Sequence, residues 1–243
     1  MSDSLISCQA LTKSYGSAPV LKDIDLDIGA GRIVGLLGPN GTGKTTLIKL
    51  LCGLLQPTAG RILINGMVPG PESKAIVSYL PDKMYFADWM NARDILGLFE
   101  DFYEDFDRTR AEAMCASLGI KPGDRIKTMS KGTKEKLQLI LVMSRRARLY
   151  LLDEPIAGVD PAARDYIMNT ILTNYSPDGT VLISTHLIGD IERVLDEAIF
   201  LQDGRVILHD SVDNMRAVHG KSVDALFREM FRMTQEGGEQ YAR

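Results

Sequence analysis

Gly38-Pro39-Asn40-Gly41-Thr42-Gly43-Lys44-Thr45 fits the pattern G-x-x-x-x-G-K-[ST], and its surroundings decide how it reads. The apolar run Ile33-Val34-Gly35-Leu36-Leu37 before it has the character of a buried strand, and Thr46-Leu47-Ile48-Lys49-Leu50-Leu51 after it that of a helix. Between strand and helix, a glycine-rich loop lets successive backbone N–H groups converge on phosphate oxygens, and the helix N-terminus adds positive potential. Lys44 is placed to reach the β- and γ-phosphates, and the Thr45 hydroxyl to hold Mg²⁺. The stretch from Gly38 to Thr46 is therefore expected to bind a nucleoside triphosphate.

The 243 residues, 45% hydrophobic and 25% charged, suffice for one large domain with an inserted lobe. Lys plus Arg number 28 against 32 Asp plus Glu, a net charge of −4, which gives no basic footprint for nucleic acid. The longest apolar runs fall far short of the roughly 20 residues that span a bilayer. The opening MSDSLISCQA lacks the charged start and apolar run of a signal peptide, so the chain is expected in the cytosol. Cys8, Cys52 and Cys115 are widely spaced and have no close His or Cys partner, which fits free, buried thiols better than a disulfide or zinc framework.

Along the chain, Leu5 to Tyr15 and Val20 to Ile28 alternate apolar and polar residues, the period of an antiparallel β-layer. Gly60 to Gly66 reads as a strand closed by an Asn-Gly turn, and Ile76 to Leu80 as a strand ended by Pro81. From about Asn91 the period becomes helical, with Ile95, Leu98, Phe99, Phe102 and Phe106 assigned to one face. A helix entered at Ser130 runs to about Arg146. Strands return at Leu149, Val181 and Glu197, and Val223, Leu226, Phe227, Met230 and Phe231 form the stripe of a last amphipathic helix, which either docks on its own domain or makes a dimer contact. These elements compose an α/β core with a helical insertion.

A phosphate loop binds nucleotide without hydrolysing it, so a second constellation matters: Leu149-Tyr150-Leu151-Leu152-Asp153-Glu154-Pro155. A buried strand ending in two carboxylates delivers both at the C-terminal edge of a parallel sheet. There Asp153 would hold Mg²⁺ and Glu154 would polarise an attacking water.

Carrying both motifs, the chain resembles the ATP-binding subunit of an ABC transporter. Ser184-Thr185-His186 matches that family's switch histidine, Ala157-Gly158-Val159-Asp160 resembles its D-loop, and Tyr15 stands where an aromatic residue stacks on adenine. The motifs keep the family's order from residue 15 to 186. The resemblance implies a P-loop NTPase core, α/β with a mostly parallel sheet, an N-terminal antiparallel β-layer and an inserted helical subdomain. It places an ATP-binding domain at 1–210, with the helical insertion at about 83–147, and a helical extension at 211–243. Its implied cofactors are ATP and Mg²⁺. Glu154, His186 and Lys44 would be catalytic. Tyr15, Gly38, Pro39, Asn40, Gly41, Thr42, Gly43, Lys44, Thr45, Thr46, Ser130, Lys131, Gly132 and Asp160 would bind nucleotide, and Thr45, Asp82 and Asp153 would face the metal.

Two stretches depart from the family pattern. Where the signature usually reads Leu-Ser-Gly-Gly-Gln, this chain has Met129-Ser130-Lys131-Gly132-Thr133. Ser130 and Gly132 keep the hydroxyl, the close backbone approach and the helix N-terminus. Lys131 either adds positive charge at the phosphate or belongs, with Lys134 and Lys136, to a solvated face. The second departure is Tyr79-Leu80-Pro81-Asp82, where the family usually places a glutamine. Asp82 either binds Mg²⁺ through water, which would make ATP affinity strongly Mg²⁺-dependent, or is a surface aspartate after a proline turn.

The resemblance further implies a head-to-tail pair, because the signature faces the nucleotide of a second ATP-binding subunit, in a homo- or heterodimer. Separate integral membrane subunits would receive the motion through the lobe near Tyr85, Phe86, Trp89 and the Ile95 to Phe106 face, leaving this chain peripheral on the cytoplasmic side. An efflux-type system is the expected direction. The alternatives are a soluble ATPase of the same type without a transport role, and a nucleotide-gated regulator with little hydrolysis.

Overall fold

The computed structural model describes residues 4–239, so the last four residues of the extension expected at 211–243 lie outside the described residues. The chain opens with β1 (Ser4–Tyr15) and β2 (Ala18–Gly29), then β3 (Ile33–Leu37), α1 (Lys44–Leu51) and β4 (Ala59–Ile64). Next come α2 (Pro71–Ala75), β5 (Val77–Leu80) and three helices, α3 (Ala92–Phe102), α4 (Arg108–Ser117) and α5 (Lys131–Met143). After them come β6 (Leu149–Asp153), α6 (Pro161–Asn174), β7 (Thr180–Thr185), α7 (Ile188–Ile191) and β8 (Glu197–Gln202). β9 (Arg205–Ser211), α8 (Val212–His219) and α9 (Val223–Glu239) complete the path.

Two sheets result. β1 lies between β2 and β4 in an antiparallel layer, while β5-β6-β7-β3-β8-β9 form the second sheet, parallel except for its last strand. β3, β6 and β7 are buried at every residue, as parallel strands covered on both faces must be. β2, by contrast, buries Leu21, Ile24, Leu26 and Ile28 along one face only. The register aligns the strand ends, with Leu37 paired to Thr185 and Asp153 to Ser184. The C-terminal ends of three adjacent strands therefore deliver the phosphate loop, the two carboxylates and His186 to one edge.

The sheets meet at the β8–β9 turn. Asp203 and Gly204 have φ of 48° and 78°, and a Cβ on Gly204 would stand 2.2 Å from the Val20 carbonyl oxygen. Only glycine fits there, and it lets Lys22 N–H donate to the Gly204 carbonyl at 2.8 Å. Asn65 and Gly66, with φ of 49° and 78°, close β4 as the Asn-Gly pattern predicts. The three cysteines are free and buried, and burial raises each thiol, Cys8 to about 12 and Cys115 to about 11.

α3, α4 and α5 pack around a core of their own that includes Ile95, Phe99, Leu137 and Ile140. The apolar face expected on α3 needs correcting. Ala92, Ile95, Leu96 and Phe99, at i, i+3, i+4 and i+7, are the buried stripe, whereas Leu98 and Phe102 are exposed, Phe102 by 75%. Phe86 is buried too, so neither it nor Ile95 offers a surface to a partner. At the other end of the chain, α9 docks on its own domain: Val223 and Leu226 are buried, and the Phe227 and Phe231 rings lie 5.3 and 6.4 Å from the Phe200 ring. α2 and β9 have no counterpart among the elements expected from the sequence, and α8 and α9 fall in the stretch expected as a helical extension.

Arg145 fastens the helical lobe to the sheet. Its side chain is 2% exposed. Its Nε and Nη2 donate to the two Asp105 oxygens at 2.8 and 3.1 Å, Nη1 to the Val77 carbonyl at 2.6 Å, and Nη2 also to the Ala75 carbonyl at 2.6 Å. The guanidinium also lies 3.8 Å from the centre of the Tyr103 ring. Asp105 belongs to the lobe and Val77 to the sheet, so one planar fork holds both. Breaking a buried, hydrogen-bonded ion pair from one side costs about 3 to 5 kcal/mol. Arg145→Ala is expected to lower the urea unfolding free energy by about 3 kcal/mol, and a loss smaller than about 1 kcal/mol would assign the seam to apolar packing instead.

Candidate functional site

The phosphate loop is built by close packing as much as by its motif. Gly43, at the N-terminus of α1, has φ of 108°, and a Cβ there would meet Leu21 at 2.6 Å. As the N-cap it supplies no side-chain acceptor, and no acidic residue stands in the first turn, so the amides of that turn remain available to an anion. Pro39, Asn40 and Gly41 form the exposed crest, Gly38, Thr42, Gly43 and Lys44 are buried, and Thr45 and Thr46 are half-buried. Thr42 Oγ1 donates to the Pro39 carbonyl at 3.0 Å. Lys44 curls back over this loop, donating from Nζ to the Gly38 and Pro39 carbonyls at 2.7 and 3.2 Å.

Thr45, Asp153 and Ser184 form a second layer beneath it. Thr45 Oγ1 and Ser184 Oγ both donate to Asp153 Oδ1, at 3.1 and 2.6 Å. Asp153 is 1% exposed, and its other oxygen, Oδ2, is buried without a hydrogen-bond partner. Burial pushes the Asp153 carboxyl above its ordinary pKa, the hydroxyls of Ser184 and Thr45 oppose that, and the charges of Asp82 and Glu154 push it further up. The sequence motifs do not mark Ser184 as a site residue, and its one signal there is its place beside Thr185-His186 at the strand end.

Glu154 turns sharply away from this layer. Its φ is 51°, a left-handed conformation that costs a non-glycine residue about 1 to 3 kcal/mol. The turn is held by its N–H, which donates to both the Ser184 carbonyl and the Ser184 hydroxyl at 3.0 Å. The carboxylate thereby comes between two groups. His186 Nδ1 donates to Glu154 Oε2 at 3.0 Å, and Lys44 Nζ lies 3.3 Å from Glu154 Oε1. The Lys44 contact is an ion pair without hydrogen-bond geometry, which leaves Oε1 buried and unsatisfied.

The orphaned Asp153 oxygen beside the Thr45 hydroxyl is a donor set of the kind Mg²⁺ prefers, hard oxygens that leave most positions to water and phosphate. Among the described residues no group of three His, Cys, Asp or Glu side chains could hold a metal ion. Asp82 is exposed and lines the same cleft of about 390 Å³ as Asp153, Glu154 and Lys131.

Other expected residues sit farther out. Tyr15 is 51% exposed at the end of β1, with Lys13 Nζ 5.3 Å from the centre of its ring. Ser130 caps α5, its Oγ accepting from Thr133 N–H at 3.1 Å, and Gly132 has open space around it. Lys131, with an 80% exposed side chain, lies 3.7 Å from Glu135. Among the described residues no hydrogen bond or ion pair joins Ser130, Lys131 or Gly132 to the phosphate loop. Asp160 caps α6, accepting from Ala163 N–H at 3.0 Å.

Known proteins are similar to this chain in sequence and in fold. A family model described as ABC transporter matches residues 21–157. The uncharacterized ABC transporter ATP-binding protein YdbJ of Bacillus subtilis (strain 168) is 32% identical, with 85% of this chain and 69% of that protein aligned. The daunorubicin resistance ATP-binding protein DrrA3 of Streptomyces coeruleorubidus is 29% identical over 94% of this chain and 75% of that protein. The aliphatic sulfonates import ATP-binding protein SsuB of Pseudomonas putida is 33% identical over 87% and 78%. A solved structure titled as the ATP binding subunit of an ABC transporter superposes with a TM-score of 0.84 at 28% identity, covering 93% of this chain and 99% of that one. In fold alone, a dimeric post-hydrolysis state of the ATP-binding cassette MJ0796 bound to ADP and Pi also matches, with a TM-score of 0.75 at 20% identity over 85% of this chain and 98% of that one. Among the described residues no helix is long and apolar enough to cross a membrane.

The Asp153 carboxyl carries a sign that can be checked. A folded-state pKa above the ordinary 3.8 means that its stability penalty is absent at low pH and grows as pH rises through the raised value. Ligand-free Asp153→Asn is therefore expected to melt higher than the parent at pH 7, by about 2 to 4 °C for each kcal/mol relieved. The difference should shrink as the pH is lowered into the carboxyl range, and a parent that melts higher at pH 7 would contradict the assignment.

Proposed function

The chain belongs to the ABC transporter ATP-binding proteins, and from that membership we propose that it hydrolyses ATP with Mg²⁺ as one half of a head-to-tail pair that drives efflux through separate membrane subunits. The observation that carries the hydrolytic part is the continuous contact from Lys44 through Glu154 to His186, set above Thr45, Asp153 and Ser184.

In this reading Lys44 leaves the Gly38 and Pro39 carbonyls for the β- and γ-phosphates, which are stronger acceptors. Its departure also frees Glu154 Oε1 to accept a proton from the attacking water. His186, bonded to the other carboxylate oxygen, orients Glu154 and lies at the edge where the γ-phosphate would stand. Thr45 and Asp153 would hold Mg²⁺, which supplies neutralisation of charge on the phosphate oxygens when bound. The Ser130-Lys131-Gly132 turn, unconnected to its own phosphate loop, is assigned to the nucleotide of the second subunit, and Tyr15 to the base.

A groove of about 600 Å³ between β5 and the helical lobe, lined in part by Leu54, Tyr79, Met84, Tyr85, Phe99 and Tyr103, is assigned to a membrane subunit. Leu54 and Tyr85 are each more than half exposed on its rim. Efflux is the direction favoured by the match to a resistance protein over nearly the whole chain, with the import relative weighing against it. Vesicles holding the reconstituted complex decide the direction.

Glu154→Gln should form an ATP-dependent dimer with little turnover, visible by light scattering, while Lys44→Ala should lose both the dimer and phosphate release. A Glu154→Gln chain that stays monomeric with ATP and Mg²⁺ would overturn the paired reading. Asp82 adds a charge beside Asp153, so chelating Mg²⁺ should weaken ATP binding more in the parent than in Asp82→Gln, by about tenfold if one unscreened repulsion of roughly 1.4 kcal/mol is removed. Equal losses in a nucleotide-binding titration would place Asp82 outside the metal environment.

A further inference from the structure

Arg164 joins two segments that the paired site uses separately. From the first turn of α6, its Nε donates to the Val159 carbonyl at 2.9 Å, inside the Ala157-Gly158-Val159-Asp160 turn. Its Nη1 donates at 2.8 Å to Asp190 Oδ2, on the short helix α7 that comes after His186. The two acceptors are thereby held at a spacing set by a rigid guanidinium, which a lysine could not reproduce.

Both segments are anchored by apolar packing, α7 through buried Ile188 and Ile191 and the turn through Val159, so Arg164 adds a polar link between two packed pieces. In the turn, Gly158 has φ of 69°, and the Asp160 side chain is engaged in capping α6. α7 has four residues and no side-chain cap at its N-terminus. Its far end is held from the C-terminal helices, where Glu192 Oε2 accepts from Asp224 N–H at 2.9 Å and Glu192 Oε1 lies 3.6 Å from Arg216. On the other flank Thr185 Oγ1 accepts from Leu187 N–H at 3.0 Å, and Arg164 adds the side-chain link to the 157–160 turn. The turn is also close to the signature, since a Cβ on Gly158 would stand 3.9 Å from Lys131 Nζ.

We propose that Arg164 is a positioning residue that transmits displacement of the 157–160 turn, on the face presented to a second subunit, to α7 and so to His186 beside the hydrolytic carboxylate. This rests on the paired reading above. Arg164 and Asp190 have side chains exposed by 28% and 41%, so the bond is worth little as a stabilising salt bridge. A bond of small stability value and defined geometry can move as a unit without unfolding what it joins.

The test compares ATP hydrolysis by the full chain and by Arg164→Met, with Mg²⁺, across ATP concentrations. The parent is expected to show positive cooperativity, with a Hill coefficient rising toward about 2, the number of sites in a pair. Arg164→Met is expected to lose about tenfold in kcat, with a Hill coefficient near 1, while its affinity for a fluorescent ATP analogue stays within about twofold of the parent. Asp190→Ala should behave likewise and provides the second variant if Arg164→Met folds poorly. Asp190→Asn keeps an acceptor and should recover most of the cooperativity, and the Arg164→Met/Asp190→Ala double variant should be no worse than either single one. Unchanged kcat and cooperativity in both single variants would overturn the proposal, as would a fall in kcat and melting temperature with cooperativity intact. A parent that hydrolyses ATP without cooperativity and forms no ATP-dependent pair would instead remove the paired reading, and this proposal with it.

Discussion

A carboxylate at the dry end of a central strand is the constraint on which the site depends. Asp153 ends β6 fully buried, with one oxygen satisfied by two hydroxyls and the other by nothing. An unsatisfied buried acceptor costs about 1 to 3 kcal/mol, more when charged, and the Glu154 backbone adds strain beside it. Neither feature is needed to close the sheet. In the proposed reading a cation against Oδ2 would satisfy that acceptor, while the Glu154 turn stays held by Ser184. The neighbouring charges then obey a common logic, with Lys44 offsetting Glu154 while two backbone carbonyls hold it in place.

The edge of the sheet is legible from the sequence because its signals are local. A strand, a glycine-rich loop and a helix in succession admit few folds, and four apolar residues before Asp153 and Glu154 fix where the carboxylates emerge. The register that sets Ser184 beside Asp153 is not legible, since strand pairing between residues about thirty positions apart leaves no mark in either strand alone. Arg145 is hidden for a similar reason: a basic residue at a helix end looks solvated until Asp105, Val77 and Tyr103 surround it. On α3 the helical period is correct, but spacing alone puts Leu98 and Phe102 on the wrong side, because large apolar residues outside the stripe look like core.

Two arginines show how burial separates holding from coupling. Arg145 lies in a dry seam with four hydrogen bonds and an aromatic face, a site where losing one partner leaves charge stranded and motion is expensive. Arg164 makes bonds of similar length in a more exposed setting, part-buried to Val159 and exposed to Asp190, where shifting the bonded set strands no buried charge. The first arginine keeps the helical lobe registered on β5, the strand that leads to Asp82. The second leaves the turn before α6 and the helix after His186 able to shift together. The proposed cycle of pairing, hydrolysis and separation would use both kinds of contact, and similar bond lengths do not tell them apart. Exposure does, because the energy that resists displacement scales with what desolvation has already removed.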